Sequence, residues 1–272
     1  MKRHSKSAPD RPLAGTQAVV RALRLLRAFT DARPEWSLAD LSRELKLSKP
    51  TAYRLLAALE DGGLVVRQEP AGAYCLGPTA IELGARAQRA SSVAGAARPE
   101  MESLTRATGE TSSVEVLEGD ETLILDEVQG DHLIGTSPSI GTRWPAHATS
   151  TGKVLLAATL ERDPELVRRM ARRSGGRLRA VTPKTIRSTS RLIAELRLVS
   201  RRGYARADGE LEAGYVAIGA PVRRHDGSTV AAISLGGPST RFTEARIPGL
   251  IRAVREAAGR ISQRLGWTPD ST

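Results

Sequence analysis

Residues 37–64, SLADLSRELKLSKPTAYRLLAALEDGGL, decide how the rest of the chain is read. Ser37 is placed to cap a helix, and Asp40, three residues on, supplies the acidic half of a capping box. Leu38, Leu41 and Leu45 then recur at helical spacing. A turn falls at Lys46-Leu47-Ser48, after which Ser48 caps a second helix. Pro50 sits in its first turn, where a missing N–H leaves nothing unsatisfied. Ala52, Leu55, Leu56 and Leu59 form the core face, leaving Lys49, Thr51, Tyr53 and Arg54 outward. A short helix with such a face fits a major groove. An ordinary helical hairpin with a solvated basic face fits the same periodicity.

The residues after Leu64 separate the two. Val65 and Val66 open a β-type run ending at Arg67, Pro70 and Gly72 mark a turn, and Tyr74-Cys75-Leu76 is a second short run. A hairpin directly after the second helix is a wing, able to set Arg67 against phosphate while the helix reads base edges. Helix-turn-helix plus wing is far more specific than either part. The candidates for nucleic-acid contact are Ser48, Lys49, Pro50, Thr51, Tyr53, Arg54 and Arg67.

Upstream, Thr16 is expected to cap a helix whose Val19, Leu23, Leu26 and Phe29 form one stripe and complete a three-helix core. Residues 1–14 hold Lys2, Arg3, Lys6 and Arg11 among Ser and Pro and read as a flexible basic arm. The winged domain is then 15–78, followed by an Ala-rich linker helix over 79–97 and a second, larger domain over 98–270.

The 272 residues have room for two such domains, and 40% hydrophobic content makes them globular. A single cysteine, Cys75, excludes a disulfide framework. No apolar run reaches membrane-spanning length and the basic start is no signal peptide, so the chain is expected in the cytoplasm. The net charge of +11 says less than it seems to: residues 168–206 alone carry +12, against +5 for residues 1–78. The basic stretch reads as solvated helix faces or subunit contacts, so the motif, and not the charge, carries the nucleic-acid reading.

In the second domain, Ser113 to Leu117 and Thr122 to Leu125 form a hairpin around Gly119, and His132 to Thr136 is a strand candidate. The run from Gly141 through Trp144, Pro145 and His147 to Gly152-Lys153 leads into an apolar helix over Val154 to Leu160. A P-loop is rejected, because position 147 is His and Lys153 precedes Val154. What survives is a hydroxyl-rich helix start, which either receives an anion or is merely capped by Thr149 to Thr151. Helices over Pro164 to Arg173 and Ser188 to Arg202, strands over Tyr215 to Val222 and Thr229 to Leu235, and a last helix from Thr243 complete the domain.

With these residues in place, the chain resembles the IclR family of bacterial transcriptional regulators from about Thr16 to Trp267. The resemblance rests on the winged motif, the Gly141 to Lys153 run, Arg202-Gly203-Tyr204-Ala205, Ala220-Pro221-Val222 and Ser234-Leu235-Gly236-Gly237-Pro238. It implies an α+β fold. A winged helix-turn-helix would precede a dimerising linker helix and a C-terminal α/β effector domain, whose curved, mostly antiparallel sheet is GAF- or profilin-like. It implies a homodimer, or a pair of dimers, on a palindromic double-stranded DNA operator. A small organic effector, commonly a carboxylate, would control operator affinity, with repression the expected sense. Carried over by position, the effector residues are Leu133, Thr136, Trp144, Ser150, Thr151, Asp208, Ala217, Ser234 and Gly236.

Ala217 stands where the family often has Cys, Ala207 replaces the first of an Asp pair, and Gly236 replaces a Ser. Those changes imply a roomier, less polar pocket walled by Trp144. Two other readings stay open: an architectural DNA binder without a ligand, and an enzyme in the second domain. The four histidines and one cysteine have no metal-site spacing, and no nucleophile has a base beside it, so no catalytic residue, metal or cofactor is assigned.

Overall fold

A computed structural model describes residues 16–30, 32–90, 92–130 and 140–268. The chain divides into two compact units, 1–88 and 89–272. The basic arm and the strand candidate at His132 to Thr136, with Leu133 and Thr136, lie outside the described residues.

In the first unit, α1 (Gln17–Leu26), α2 (Leu38–Glu44) and α3 (Lys49–Asp61) precede the hairpin of β1 (Val65–Gln68) and β2 (Ala73–Leu76). Ser37 Oγ accepts the Asp40 N–H at 3.1 Å and donates to Asp40 Oδ2 at 2.9 Å, so the acid answers the capping hydroxyl itself. Trp36 exchanges backbone hydrogen bonds with Tyr74 and thereby adds a rung to the wing. Leu25, Phe29, Trp36, Leu41, Leu56, Leu59, Val65 and Tyr74 form one core.

The α1 stripe departs from expectation. Leu25 and Phe29 are buried with Ala22 and Leu26 packed against the core, whereas Val19 is 59% and Leu23 53% exposed. The amphipathic face that packs is thus rotated from the one the leucines and valines suggest. Thr16 has helical backbone angles and not the extended ones of a capping residue.

The linker also differs. Instead of one helix over 79–97 there are two, α4 (Pro78–Ala90) and α5 (Ser92–Thr108). Val93, Ala97, Met101 and Leu104 share the buried face of α5, so the second unit's core begins before Arg98. Small alanines hide this boundary because they suit an exposed linker and a tight packing face equally.

The second unit is built on six strands: β3 (Thr111–Glu118), β4 (Glu121–Val128), β5 (Arg143–Pro145), β6 (Ala205–Asp208), β7 (Tyr215–Arg223) and β8 (Thr229–Pro238). Their order is β5-β4-β3-β8-β7-β6, and every pairing is antiparallel. Helices α5 and α9 (Ile247–Arg264) cover one face with Val114, Ile218, Ile233, Leu235, Leu250, Val254 and Ile261. The other face meets α6 (Ser150–Leu160), behind which α7 (Leu166–Arg173) and α8 (Thr189–Arg202) bury Leu155, Leu156, Met170, Leu192 and Leu196. The edge strands β5 and β6 are too short for alternation to announce.

Candidate functional site: a winged helix and a pocket under a helix start

Ser48 Oγ caps α3 by accepting the Thr51 N–H at 3.4 Å and lies 2.8 Å from Thr51 Oγ1. These two hydroxyls hold the helix start, and Pro50 sits in the first turn. Lys49, Tyr53 and Arg54 are left exposed, Tyr53 by 56%, while Ala52, Leu56 and Leu59 anchor the opposite side. Arg67 projects from β1, exposed, 3.7 Å from Glu69. The seven residues chosen from sequence therefore divide. Lys49, Tyr53, Arg54 and Arg67 present their ends to solvent, whereas Ser48, Pro50 and Thr51 shape the helix that carries them.

The second site lies where α6 starts. Thr149 Oγ1 accepts the Gly152 N–H at 2.9 Å, so Thr149 is the cap. Gly152 is required there, because a Cβ would collide with the backbone of Ala146 in the 3-10 turn Ala146–Ala148. Lys153 is fully buried, and its Nζ donates to Glu210 and to the Arg206 carbonyl at 3.1 Å. The Gly-Lys pair is thus a packing contact followed by a buried ion pair. His147 Nε2 lies 2.9 Å from the Arg179 carbonyl, and burial holds the imidazole below its ordinary pKa.

Register assigns the remaining positions to faces. Ala217 lies opposite Gly236, Gly219 opposite Ser234, Ser234 opposite Ser113, and Trp144 opposite Thr122. Trp144, Ala217, Ser234 and Gly236 therefore share the sheet face that meets the buried Ser150 and Thr151 of α6. Asp208 does not join them. It pairs with Val216, whose side chain belongs to the opposite core, and its carboxylate takes Lys184 at 3.1 Å and Arg206 at 2.8 Å. Those cations hold it below the ordinary carboxylate range despite burial. Ala207, opposite Ala217, occupies the pocket-facing position.

Two further expectations are corrected. The space left by Gly236 is filled, since a Cβ there would collide with the Tyr215 hydroxyl, and burial pushes that phenol's pKa up. The lining is also polar. Glu115, buried on β3, accepts from Thr151 Oγ1 at 2.6 Å and from Ser113 Oγ at 3.0 Å. Burial pushes the Glu115 carboxyl above its ordinary value, against the hydroxyls that favour its charged form. Ser113 also lies 2.9 Å from Ser234. Glu115, Ser113 and Tyr215 were not selected from sequence, although the period-2 alternation of Ser113 and Glu115 with Val114 and Val116 marks one face of the strand. Among the described residues no group of three His, Cys, Asp or Glu is placed to hold a metal ion, and no helix is long and apolar enough to cross a membrane.

Comparison with known proteins agrees with this geometry. Residues 18–69 match the IclR helix-turn-helix domain, and residues 86–263 match the bacterial transcriptional regulator IclR C-terminal domain. The regulator XynR of Escherichia coli K12 is 30% identical over 251 residues, 92% of this chain and 98% of its own length. The transcriptional repressor AllR of the same organism is 29% identical over 268 residues, 98% of this chain and 97% of its own length. An IclR homologue from Microbacterium hydrocarbonoxydans, solved in complex with 4-hydroxybenzoate, is 27% identical with a TM-score of 0.77, covering 92% of this chain and 99% of that one. A winged helix joined to an effector-type sheet domain, matched along both units, makes this chain a DNA-binding transcriptional regulator of the IclR family.

Proposed function

We propose that the protein is an effector-controlled repressor that acts in the cytoplasm on a palindromic operator, as a homodimer or a pair of dimers. The observation that carries the DNA side is α3: capped by Ser48, anchored by Leu56, and presenting Lys49, Tyr53 and Arg54 beside the Arg67 wing. Arg54 is the residue we assign to base-edge contact, and Lys49 and Arg67 to phosphate.

Dimerisation is supported by apolar side chains that the single chain leaves in solvent. Val19 and Leu23 on α1, and Ile81 and Leu83 on α4 at 75% and 50% exposure, are too apolar for a solvated surface. The chain passes from the first unit to the second through α4, so a ligand under α6 would act by changing the spacing of the two recognition helices. Half-site separation follows from that spacing. Repression is the sense carried by the relative AllR, which is named a repressor. The resemblance implies a carboxylate effector, and the homologue bound to 4-hydroxybenzoate supports that class for its own pocket. The lining of this chain favours another head group.

A gel shift on the DNA upstream of the protein's own and adjacent genes tests the reading. A discrete complex that survives excess nonspecific DNA is expected. Binding that disappears under competitor at every such sequence would contradict a sequence-specific regulator.

A further inference from the structure

The pocket face beneath α6 carries acids and hydroxyls where a carboxylate-binding site needs cations. Strand segments 111–115, 122–127, 215–219 and 232–236 contain no Lys or Arg. Glu115 is buried with one hydroxyl on each oxygen, Ser113 on Oε1 and Thr151 on Oε2. Glu127 on β4 stands opposite Ser113, the β3 residue two positions before Glu115, and its charge acts on both Glu115 and Tyr215. Thr122 Oγ1, wholly buried and directed at Glu115, has no hydrogen-bond partner among the described residues. The cation in the first turns of α6, Lys153, is already engaged by Glu210 and the Arg206 carbonyl.

Each part of this arrangement opposes a carboxylate ligand. The Thr151 hydroxyl at the helix start, which such a ligand would require, already donates to the chain's own Glu115. An incoming anion would also meet Glu115 and Glu127 in a desolvated space, where like charges repel strongly. Neutral hydroxyls hold the buried carboxylate without neutralising it, and that deficit is what a cationic donor makes good.

We propose that the effector of this regulator presents an organic cation, a primary ammonium or guanidinium, to Glu115 and Glu127, with the Thr122 hydroxyl accepting a further hydrogen bond. Tyr215, lying over Gly236, supplies an aromatic surface beside that charge. The assignment rests on the reading of the second unit as the effector domain.

The test uses the full-length protein and matched probe pairs that differ in head group: benzylamine and benzoate, 4-hydroxybenzylamine and 4-hydroxybenzoate, butylamine and butyrate, with agmatine and putrescine added. Thermal shift and calorimetry should find an amine or guanidine that binds at least about tenfold tighter than its carboxylate partner. Glu115→Gln and Glu127→Gln, which keep the shape and still accept the Ser113 and Thr151 hydroxyls in the case of Glu115, should each weaken that probe by about tenfold or more while melting cooperatively. A carboxylate that binds more tightly than its amine overturns the cation assignment and leaves the effector domain standing. Amine binding unchanged in both variants also overturns it. If neither series binds, the cation assignment and the effector reading fall together.

Discussion

Thr151 Oγ1 donates to Glu115 Oε2 across 2.6 Å, tying the first turn of α6 to the middle of the sheet. The bond joins the helix start that the family resemblance singles out to an acid that no sequence motif marks. It also has a measurable consequence for stability. Burial raises the Glu115 pKa in the folded protein above the ordinary 4.5, so the native state holds this proton more tightly than the unfolded chain does. Its contribution is fully present below the unfolded value and is lost as pH rises through the folded one. Thermal melts should therefore show the wild type losing stability relative to Glu115→Gln as pH climbs from about 4.5 upward, with the variant the more stable at neutral pH. Parallel curves for the two proteins would contradict a raised Glu115.

Lys153 and Glu210 form a buried pair that fixes the start of α6 to the segment after β6. Removing one partner strands the other's charge, so Lys153→Met should cost about 3 kcal/mol in urea denaturation. Replacing both, as Lys153→Met with Glu210→Leu, should recover a large part of that loss. A double variant no more stable than the single one would contradict the pairing.

Lys46, in the turn between α2 and α3, has φ of 53°, in the left-handed region that side chains with a Cβ disfavour. Lys46→Gly should raise the unfolding free energy of the winged domain by about 0.5–1 kcal/mol, the strain relieved exceeding the entropy glycine adds to the unfolded chain. An equal loss would show that the lysine makes a compensating contact.

Because Arg54 is exposed and makes no part of the core, Arg54→Ala should leave the fold intact and weaken operator binding by about 1–3 kcal/mol. Arg67→Ala should weaken all sequences alike and lower the salt slope by about one phosphate contact. Base-specific loss from Arg67→Ala, with none from Arg54→Ala, would reverse the two assignments.

Leu23→Glu and Ile81→Glu place charge on side chains that a single chain leaves exposed. Analytical ultracentrifugation should show both variants shifted towards monomer, with the melting of the isolated fold little changed. An unchanged sedimentation profile would remove α1 and α4 from the dimer contact.

The winged motif was legible because its signals are local: Ser37 and Ser48 cap, and Ala52, Leu56 and Leu59 repeat at helical spacing. Features set by what packs against a segment were less so. Val19 and Leu23 read as core residues, but the packing face of α1 runs through Leu25 and Phe29. Ser113 and Glu115 read as the solvated side of a strand, and it is α6, distant in sequence, that covers them. The motif that brought Asp208 into the effector set is one residue out of phase with the pocket, because strand register sends Asp208 to the other face and Ala207 inward. Gly236 suggested empty space, which Tyr215 occupies from the neighbouring strand.

If a ligand held beneath α6 controls how tightly α3 holds DNA, fluorescence anisotropy on a labelled operator duplex will report it, with and without a saturating amount of the tightest binder from the probe series. This ligand should raise the operator Kd of the wild type. Glu115→Gln, which binds the ligand poorly, should keep its ligand-free Kd at the same ligand concentration. Tight ligand binding with an unchanged operator Kd in the wild type would show that the pocket and the recognition helix are not coupled.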